Sequence, residues 1–548
     1  MRVHVISNTK KEYNIEIIPG TKVSEIIQYT NTNLDNQVLL CKVDNHYRDL
    51  NHLITHPCTI ELLDMHDNYA WLVYQNSLIL LYKKAVYDIL GNVQVEISNS
   101  LNKGLYTTIK CNFTNEIVQS IENRMKELVQ SNYLITKVHL SKEEFLNNIQ
   151  CKANKRVISS LDTIDEVEVY SLDNYHELFY GLLVPNTSYL KSFELIRYRN
   201  GILLRYPHIS NPNVIPTYED QKLLYDAFSV ATQWEKLMGV SFVYELNEKI
   251  KNNEYQNLIM LQEALHEKKI SDIADRIKKE KKRIILISGP SSSGKTSFAK
   301  RLCIQLSVIG LKPLYLGTDD YFVERSESPL DENGEKDFEC IQCVDIPLFN
   351  LQMNELLNGK KVDIPTFDFI HGTKVFGKRI VSLEKNQPIV IEGIHALNEI
   401  LTNDINNDEK FKIYISPFTS LNIDHHNRIP TTDARMLRRL VRDHEFRGNS
   451  AAETIKNWPK VRKGEDQNIF PYSSQADVFF NTNYIYELAV LKKYAMPLLE
   501  EITRDEKEYA EAQRMLSFLK FFRTIEDDTM ISNNSILREF IGGSVLIK

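Results

Sequence analysis

The chain has 548 residues, 43% of them apolar and 25% charged, with 66 Lys and Arg against 73 Asp and Glu. At ~150 residues per domain this is three or four domains, which excludes a single small binding module, and the composition excludes a disordered chain. A net charge of −7 excludes a global attraction to nucleic acid or an anionic membrane, so any basic site must be local.

Residues 1–64 predict a β-grasp (ubiquitin-like) module. Val3 and Val5 alternate as in a strand, a second apolar run spans Asn14 to Ile18, Pro19-Gly20 supplies a turn, and a helix begins near Thr21 with Val23, Ile26 and Ile27 on one face. Strands over Gln37 to Val43 and Cys58 to Leu63 complete the order. The first twenty residues lack the apolar stretch of a signal peptide, which predicts a cytoplasmic protein. Seven scattered cysteines make no disulfide framework, and the pair Cys340 and Cys343 is only half of a zinc site.

Residues 65–209 predict a separate α+β domain with an amphipathic helix over Glu116 to Val129, where Ile117, Val118, Ile121 and Leu128 share a face. Its most apolar window, Tyr69 to Leu90, is broken by Gln75, Asn76, Lys83, Lys84 and Asp88, short of the ~20 uninterrupted residues of a membrane span. The Pro- and Asn-rich text around Ile209 opens a helical connector over 210–281, in which Leu223, Leu224, Phe228 and Leu237 are packing residues.

From residue 282 strands alternate with helices. Short, densely apolar runs at Arg283 to Ser288, Pro313 to Gly317, Pro388 to Ile391, Phe411 to Ser416 and Asp477 to Asn481 predict an α/β fold, a parallel sheet covered on both faces. The first run leads into GPSSSGKT, Gly289 to Thr296, followed by a helix over Thr296 to Ile309. A glycine-rich loop in this setting curls backbone N–H groups around phosphate oxygens, while Lys295 reaches the β- and γ-phosphates and the Thr296 hydroxyl ligates magnesium. That pattern predicts nucleotide binding without naming the acceptor.

Two acidic groups end neighbouring strands. Asp319 and Asp320 follow the second run in GTDDYF, and Glu392 ends PIVI. Carboxylates at this edge accept a proton from an acceptor hydroxyl or hold magnesium, and a helix-capping turn is the alternative for Asp319. Between Arg428 and Lys463 ten basic residues face four acidic ones. Arg435, Arg438 or Arg439, and Arg442 fall on one helical face, with Met436, Leu437, Leu440 and Val441 opposite. A mobile arginine lid over transferring phosphates accounts for the run best, against a solvated face or a polynucleotide site.

GPSSSGKT, TDDYF, DFEC, IPTFDFIHGTK, IEGIHALN and DARMLRRLVRDHEFRG, in this order from Lys282 to about Leu499, resemble the phosphoribulokinase and uridine kinase family, uridine-cytidine kinases in particular. The chain is also similar to a longer bacterial-type variant in which a P-loop NTPase-type parallel-sheet kinase domain, here 282–500 with a helical tail at 501–548, follows two other units. Those are a TGS-like module and a domain similar to the second additional domain of threonyl-tRNA synthetase. VPNTSYLKSFEL, VRKGEDQNIFPY and SILREFIGGS carry that similarity. The metal-ligand positions of the synthetase domain correspond to Asn76, Leu80, Phe179 and Leu183, so a scaffold, gating or partner-binding role is implied in place of an editing site.

The resemblance implies an ATP- and magnesium-dependent kinase acting on the 5′-hydroxyl of a nucleoside, most readily uridine or cytidine. Gly289, Pro290, Ser291, Ser292, Ser293, Gly294, Lys295, Thr296 and Ser297 would hold ATP, and Thr296, Glu392 and Asp319 the magnesium. Asp319 would be the base, and Lys295, Arg435, Arg439 and Arg442 would stabilise the transferring phosphoryl group. Asp320, Tyr321, Glu339, Phe367, Phe369, His371 and Arg447 would line the acceptor site. Glu339 stands where the family has a ribose-binding aspartate, Phe367 where uridine-cytidine kinases have a base-contacting tyrosine, and Phe369 matches a phenylalanine that packs on the base. The histidine that reads the pyrimidine edge falls at Gly372, with His371 one position earlier, which weakens the expectation of pyrimidine selectivity. A kinase for a sugar phosphate, or an ATP-responsive RNA-binding regulator, are the competing readings.

Overall fold

A computed structural model describes residues 1–30, 37–148, 152–160, 165–330, 334, 336–337, 339–419 and 421–547. The amino-terminal sheet has five strands in the order Glu12–Glu16, Arg2–Ile6, Thr59–Leu63, Leu40–Val43 and His46–Arg48. Arg2–Ile6 and Thr59–Leu63 run parallel and every other neighbour is antiparallel. The expected helix is a single turn, Val23–Ile26, continued as a 3-10 turn over Ile27–Tyr29. Val23 and Ile26 bury against Val3, Val5, Ile60 and Leu62. The hairpin strand His46–Arg48 was not among the predicted elements. Its signal is the Asp44-Asn45 pair, both at positive φ (46° and 59°), the backbone of a tight two-residue hairpin turn.

The apolar window after this sheet folds as the helix Asn68–Leu90, capped by Asp67, whose carboxylate accepts from the Tyr69 and Ala70 N–H groups. No described helix is long and apolar enough to cross a membrane. The helix is instead wrapped by protein. An antiparallel sheet (Glu194–Tyr198, Gly201–Arg205, Gly104–Ile109, Val95–Leu101), the sheet Ile135–Ser141, Glu166–Leu172, Tyr175–Glu177, and the amphipathic helix Asn115–Gln130 surround it. Leu80, Phe179 and Leu183 meet in this core, and Asn76 packs beside Gly181.

Three helices, Lys222–Met238, Val243–Lys251 and Tyr255–Glu280, lead to the carboxy-terminal sheet. Its strands lie in the order Leu314–Gly317, Ile389–Glu392, Ile284–Ser288, Lys410–Ser416 and Val478–Asn481, all parallel. Ile284 to Ile287 are fully buried, as a central strand covered on both faces requires. This arrangement agrees with a P-loop kinase core, and its carboxyl edge carries the phosphate loop, Asp319 and Glu392.

The two halves are joined by buried polar groups. Lys83, from the long helix, pairs with Glu177, which also accepts from Asn154 Nδ2 (2.7 Å) and Tyr175 OH (3.0 Å). His426, from the carboxy-terminal half, donates through Nε2 to Leu178 O (2.7 Å) and places Nδ1 3.0 Å from Lys83 Nζ. Arg428, counted in the basic run, is committed to this junction through Ser98 O (3.1 Å) and Ser100 Oγ (3.1 Å). Burial alone would raise the Glu177 carboxyl, but Lys83, His426 and the Tyr175 hydroxyl together outweigh it and hold the group at about 2. Glu177→Ala strands a buried ammonium, so chemical denaturation of the full chain should show a loss of about 3–5 kcal/mol in the transition of this region. Lys83→Met/Glu177→Leu should recover most of it, and a single variant within about 1 kcal/mol of wild type would refute the account of the junction.

Candidate active site

The phosphate loop leaves the central strand Ile284–Ser288 and enters the helix Lys295–Val308. Ser292 and Gly294 take positive φ (58° and 85°), which turns successive N–H groups toward one side. Gly289 tolerates no side chain, because a Cβ there would stand 2.2 Å from Ile415 O. Lys295 Nζ donates to Gly289 O (2.9 Å) and Pro290 O (3.2 Å), and burial lowers its pKa against the pull of Glu392. The buried hydroxyls of Ser292, Ser293 and Ser297 have no hydrogen-bond partner among the described residues. Buried hydroxyls are seldom left so. Three of them beside a helix N-terminus and a lysine fit the oxygens of a polyphosphate.

Strand register brings the acidic groups to this loop. Glu392 pairs in register with Ile287 on one side and Gly317 on the other, two residues before Asp319. Its Oε1 accepts from Thr296 Oγ1 (3.1 Å) and Tyr315 OH (3.1 Å). Burial pushes Glu392 up to about 7, with Lys295 opposing and Asp319 adding to the rise. Asp319 is likewise raised by burial, again opposed by Lys295. A hydroxyl and two carboxylates beside a phosphate loop are a donor set suited to magnesium.

The expected acceptor residues divide. Asp320 pairs with Arg379 (3.4 Å). Tyr321 does not face the cleft as expected: it is fully buried, stacks edge-on against Phe349 and donates to Gln352 Oε1 (3.0 Å). The 3-10 turn Thr318–Tyr321 explains the correction, since it sends Asp319 and Tyr321 in different directions. Glu339, raised by burial with Arg439 opposing, packs so closely on Gly464 that a Cβ there would meet it at 2.9 Å. Phe338 of the DFEC motif lies outside the described residues. Phe367 is buried on the hairpin Thr366–Asp368/Thr373–Val375, in contact with Phe322 and Phe369, while Phe369 is 58% exposed. His371 turns onto the Asp368 carboxylate (2.7 Å). Cys340 and Cys343 lie 3.6 Å apart, both thiols donating to Asp337 O.

The arginine helix, Thr431–Arg447, is a second correction. Arg435 was expected in a mobile lid, yet it is 1% exposed and bound through Nη2 to Glu465 Oε2 (2.7 Å). Arg438 is fully buried against Glu487 (2.6 Å). A desolvated guanidinium cannot leave its carboxylate cheaply, so neither side chain is free to swing. Both reach the loop from behind, Arg435 through Ser291 O (3.4 Å) and Arg438 through Ser292 O (3.3 Å). Glu465 also accepts from Ser291 N–H (2.8 Å). The more exposed arginines are Arg439, Arg442 and Arg447, gathered by the buried carboxylate of Asp443. Arg439 Nη1 donates to Ser291 Oγ (2.8 Å), and the charge of Asp319 acts on Arg447. Glu465, Glu487 and Asp443 were not foreseen, although buried arginines require such partners.

The Phosphoribulokinase / Uridine kinase family model matches residues 284–485. A uridine kinase of Lactobacillus helveticus is 28% identical over 202 residues, 37% of this chain and 87% of that protein. A uridine kinase of Staphylococcus haemolyticus is 30% identical over 196 residues, 36% of this chain and 85% of that protein. A solved chain from Bacillus stearothermophilus, described as a possible uridine kinase, shares 20% identity across 36% of this chain and 88% of its own, with a TM-score of 0.25. This site is that of a kinase-type phosphotransferase. Through residues 284–485 the chain belongs to the phosphoribulokinase and uridine kinase family.

Because Glu392 keeps its proton to about pH 7 in the fold but loses it near 4.5 when unfolded, its contribution to stability is full below 4.5 and is lost as pH rises to 7. Glu392→Gln should flatten that part of the thermal stability profile, and an unchanged slope between pH 4.5 and 7 would contradict the shift.

Proposed function

We propose that residues 284–485 transfer the γ-phosphoryl group of ATP to the 5′-hydroxyl of a nucleoside, with uridine and cytidine as the preferred acceptors. One observation carries this reading: the unpartnered donors of the phosphate loop stand beside Asp319 and Glu392, two carboxylates raised by burial at the ends of adjacent parallel strands. Loop amides, the Ser292, Ser293 and Ser297 hydroxyls and Lys295 bind the phosphates. Asp319, its carboxyl raised above the usual range against the pull of Lys295, orients and deprotonates the acceptor hydroxyl. Thr296, Glu392 and Asp319 would hold magnesium, which when bound neutralises charge on the β- and γ-phosphates.

Arg439, Arg442 and Arg447 face the charge that develops on the phosphoryl oxygens, and Arg435 and Arg438 act only by bracing the loop. Glu339 would accept from the ribose hydroxyls, and Phe367 with Phe369 would offer the base a flat apolar contact. The engagement of His371 by Asp368 favours a secondary reading in which the base is poorly discriminated and other hydroxylated acceptors, sugar phosphates included, are used.

The amino-terminal half, read as a TGS-like module (1–64) and a metal-less synthetase-like domain (65–209) joined by the connector (210–281), is proposed as a scaffold and partner-binding element for the kinase. Incubation with ATP, magnesium and a panel of nucleosides, sugar phosphates and RNA, with products identified by mass, should yield a nucleoside monophosphate. Asp319→Asn should lower kcat by about 10²–10⁴-fold with ATP affinity by calorimetry nearly unchanged. Near-normal turnover in that variant would remove Asp319 from the role of base.

A further inference from the structure

The carboxy-terminal segment is built into the phosphate-binding end of the site. Ser535 Oγ and Ile536 N–H meet Tyr484 OH at 3.1 and 3.3 Å, and Ile536, Leu537 and Phe540 are fully buried. The Ile536 side chain lies directly on the loop, since a Cβ on Gly294 would come within 2.3 Å of its Cγ2. Phe540 stacks under the Arg438 guanidinium at 4.9 Å, and Lys300 Nζ donates to Leu546 O (2.6 Å). Between these anchors the short helix Arg538–Ile541 presents Glu539, whose Oε2 accepts from Ser297 N–H at 3.2 Å. Ser297 lies in the first turn of the phosphate-loop helix, and its own hydroxyl is one of the three without a partner among the described residues. The negative charge of Glu539 also reaches Lys295.

We infer that Glu539 is an internal competitor for nucleotide phosphate, a side chain that takes a helix N-terminal amide and thereby sets the affinity of the loop for polyphosphate. The inference rests on the ATP-binding reading given above. A carboxylate and a phosphate oxygen cannot both accept the Ser297 N–H, and at this distance they repel through a poorly screened medium. The backbone of the segment is fixed by buried Ile536, Leu537 and Phe540, so relief comes from rotation of the partly exposed Glu539 side chain and not from release of the segment. Whether Glu539 swings out or stays, its charge weakens polyphosphate binding. Charges at helix termini act on a scale that corresponds to about a three- to tenfold change in affinity.

The test is calorimetric titration of the full chain with inorganic triphosphate and, separately, with ATP and magnesium. Glu539→Gln and Glu539→Ala should each bind both probes about three- to tenfold more tightly than wild type, with the gain shrinking as salt is raised. Agreement between the isosteric and the truncated variant separates charge from packing, and thermal midpoints without added probe report on folding. Equal or weaker binding by Glu539→Gln, with wild-type binding intact, would overturn this inference alone. A wild-type chain that binds neither probe would overturn the ATP reading and this inference with it.

Discussion

Two buried ion pairs, Arg435 with Glu465 and Arg438 with Glu487, fix the phosphate loop, and the rest of the site is arranged around them. The loop must keep its amides and hydroxyls turned inward, a costly backbone shape that no internal hydrogen-bond ladder supports. The arginines hold the Ser291 and Ser292 carbonyls from behind, Glu465 takes the Ser291 N–H, and Phe540 closes over Arg438. Charges removed this far from water are tolerable only as pairs. The arginine helix, the helix Ala451–Asn468 and the carboxy-terminal segment are thereby tied into one support for the loop.

The same logic governs the junction between halves. Lys83 and Lys84 interrupt the most apolar stretch of the chain, and each is matched by carboxylates, Lys83 by Glu177 and Lys84 by Asp88 and Asp173. His426 adds a contact from the loop that precedes the arginine helix, so the amino-terminal half bears on the element that braces the nucleotide site. The junction is polar and specific, as a scaffold seated in one orientation requires.

Much of the carboxy-terminal half was legible because its chemistry is local. The phosphate loop needs glycines at fixed spacing between a strand and a helix, and the five strands are dense apolar runs, so both are written within a few residues. Ion-pair partners are not. Glu465 is 30 residues from Arg435, Glu487 is 49 from Arg438, and Glu539 is 242 from Ser297, so no window reveals them. The face shared by Arg435 and Arg442 was readable, but which arginines meet the cleft depends on what covers the helix. Tyr321 shows the limit at short range, because one 3-10 turn decides whether a residue beside Asp319 lines the site or fills the core. The hairpin at Asp44-Asn45 was readable in principle from its two turn residues.

The measurement that bears most directly on the central claim is a single-turnover reaction of the full chain with magnesium, uridine and ATP carrying heavy oxygen on its γ-phosphoryl group, followed by mass spectrometry. Direct transfer to the 5′-hydroxyl predicts that the labelled oxygens appear in uridine monophosphate at the rate ATP is consumed. Label found only in inorganic phosphate, with uridine unmodified, would contradict it.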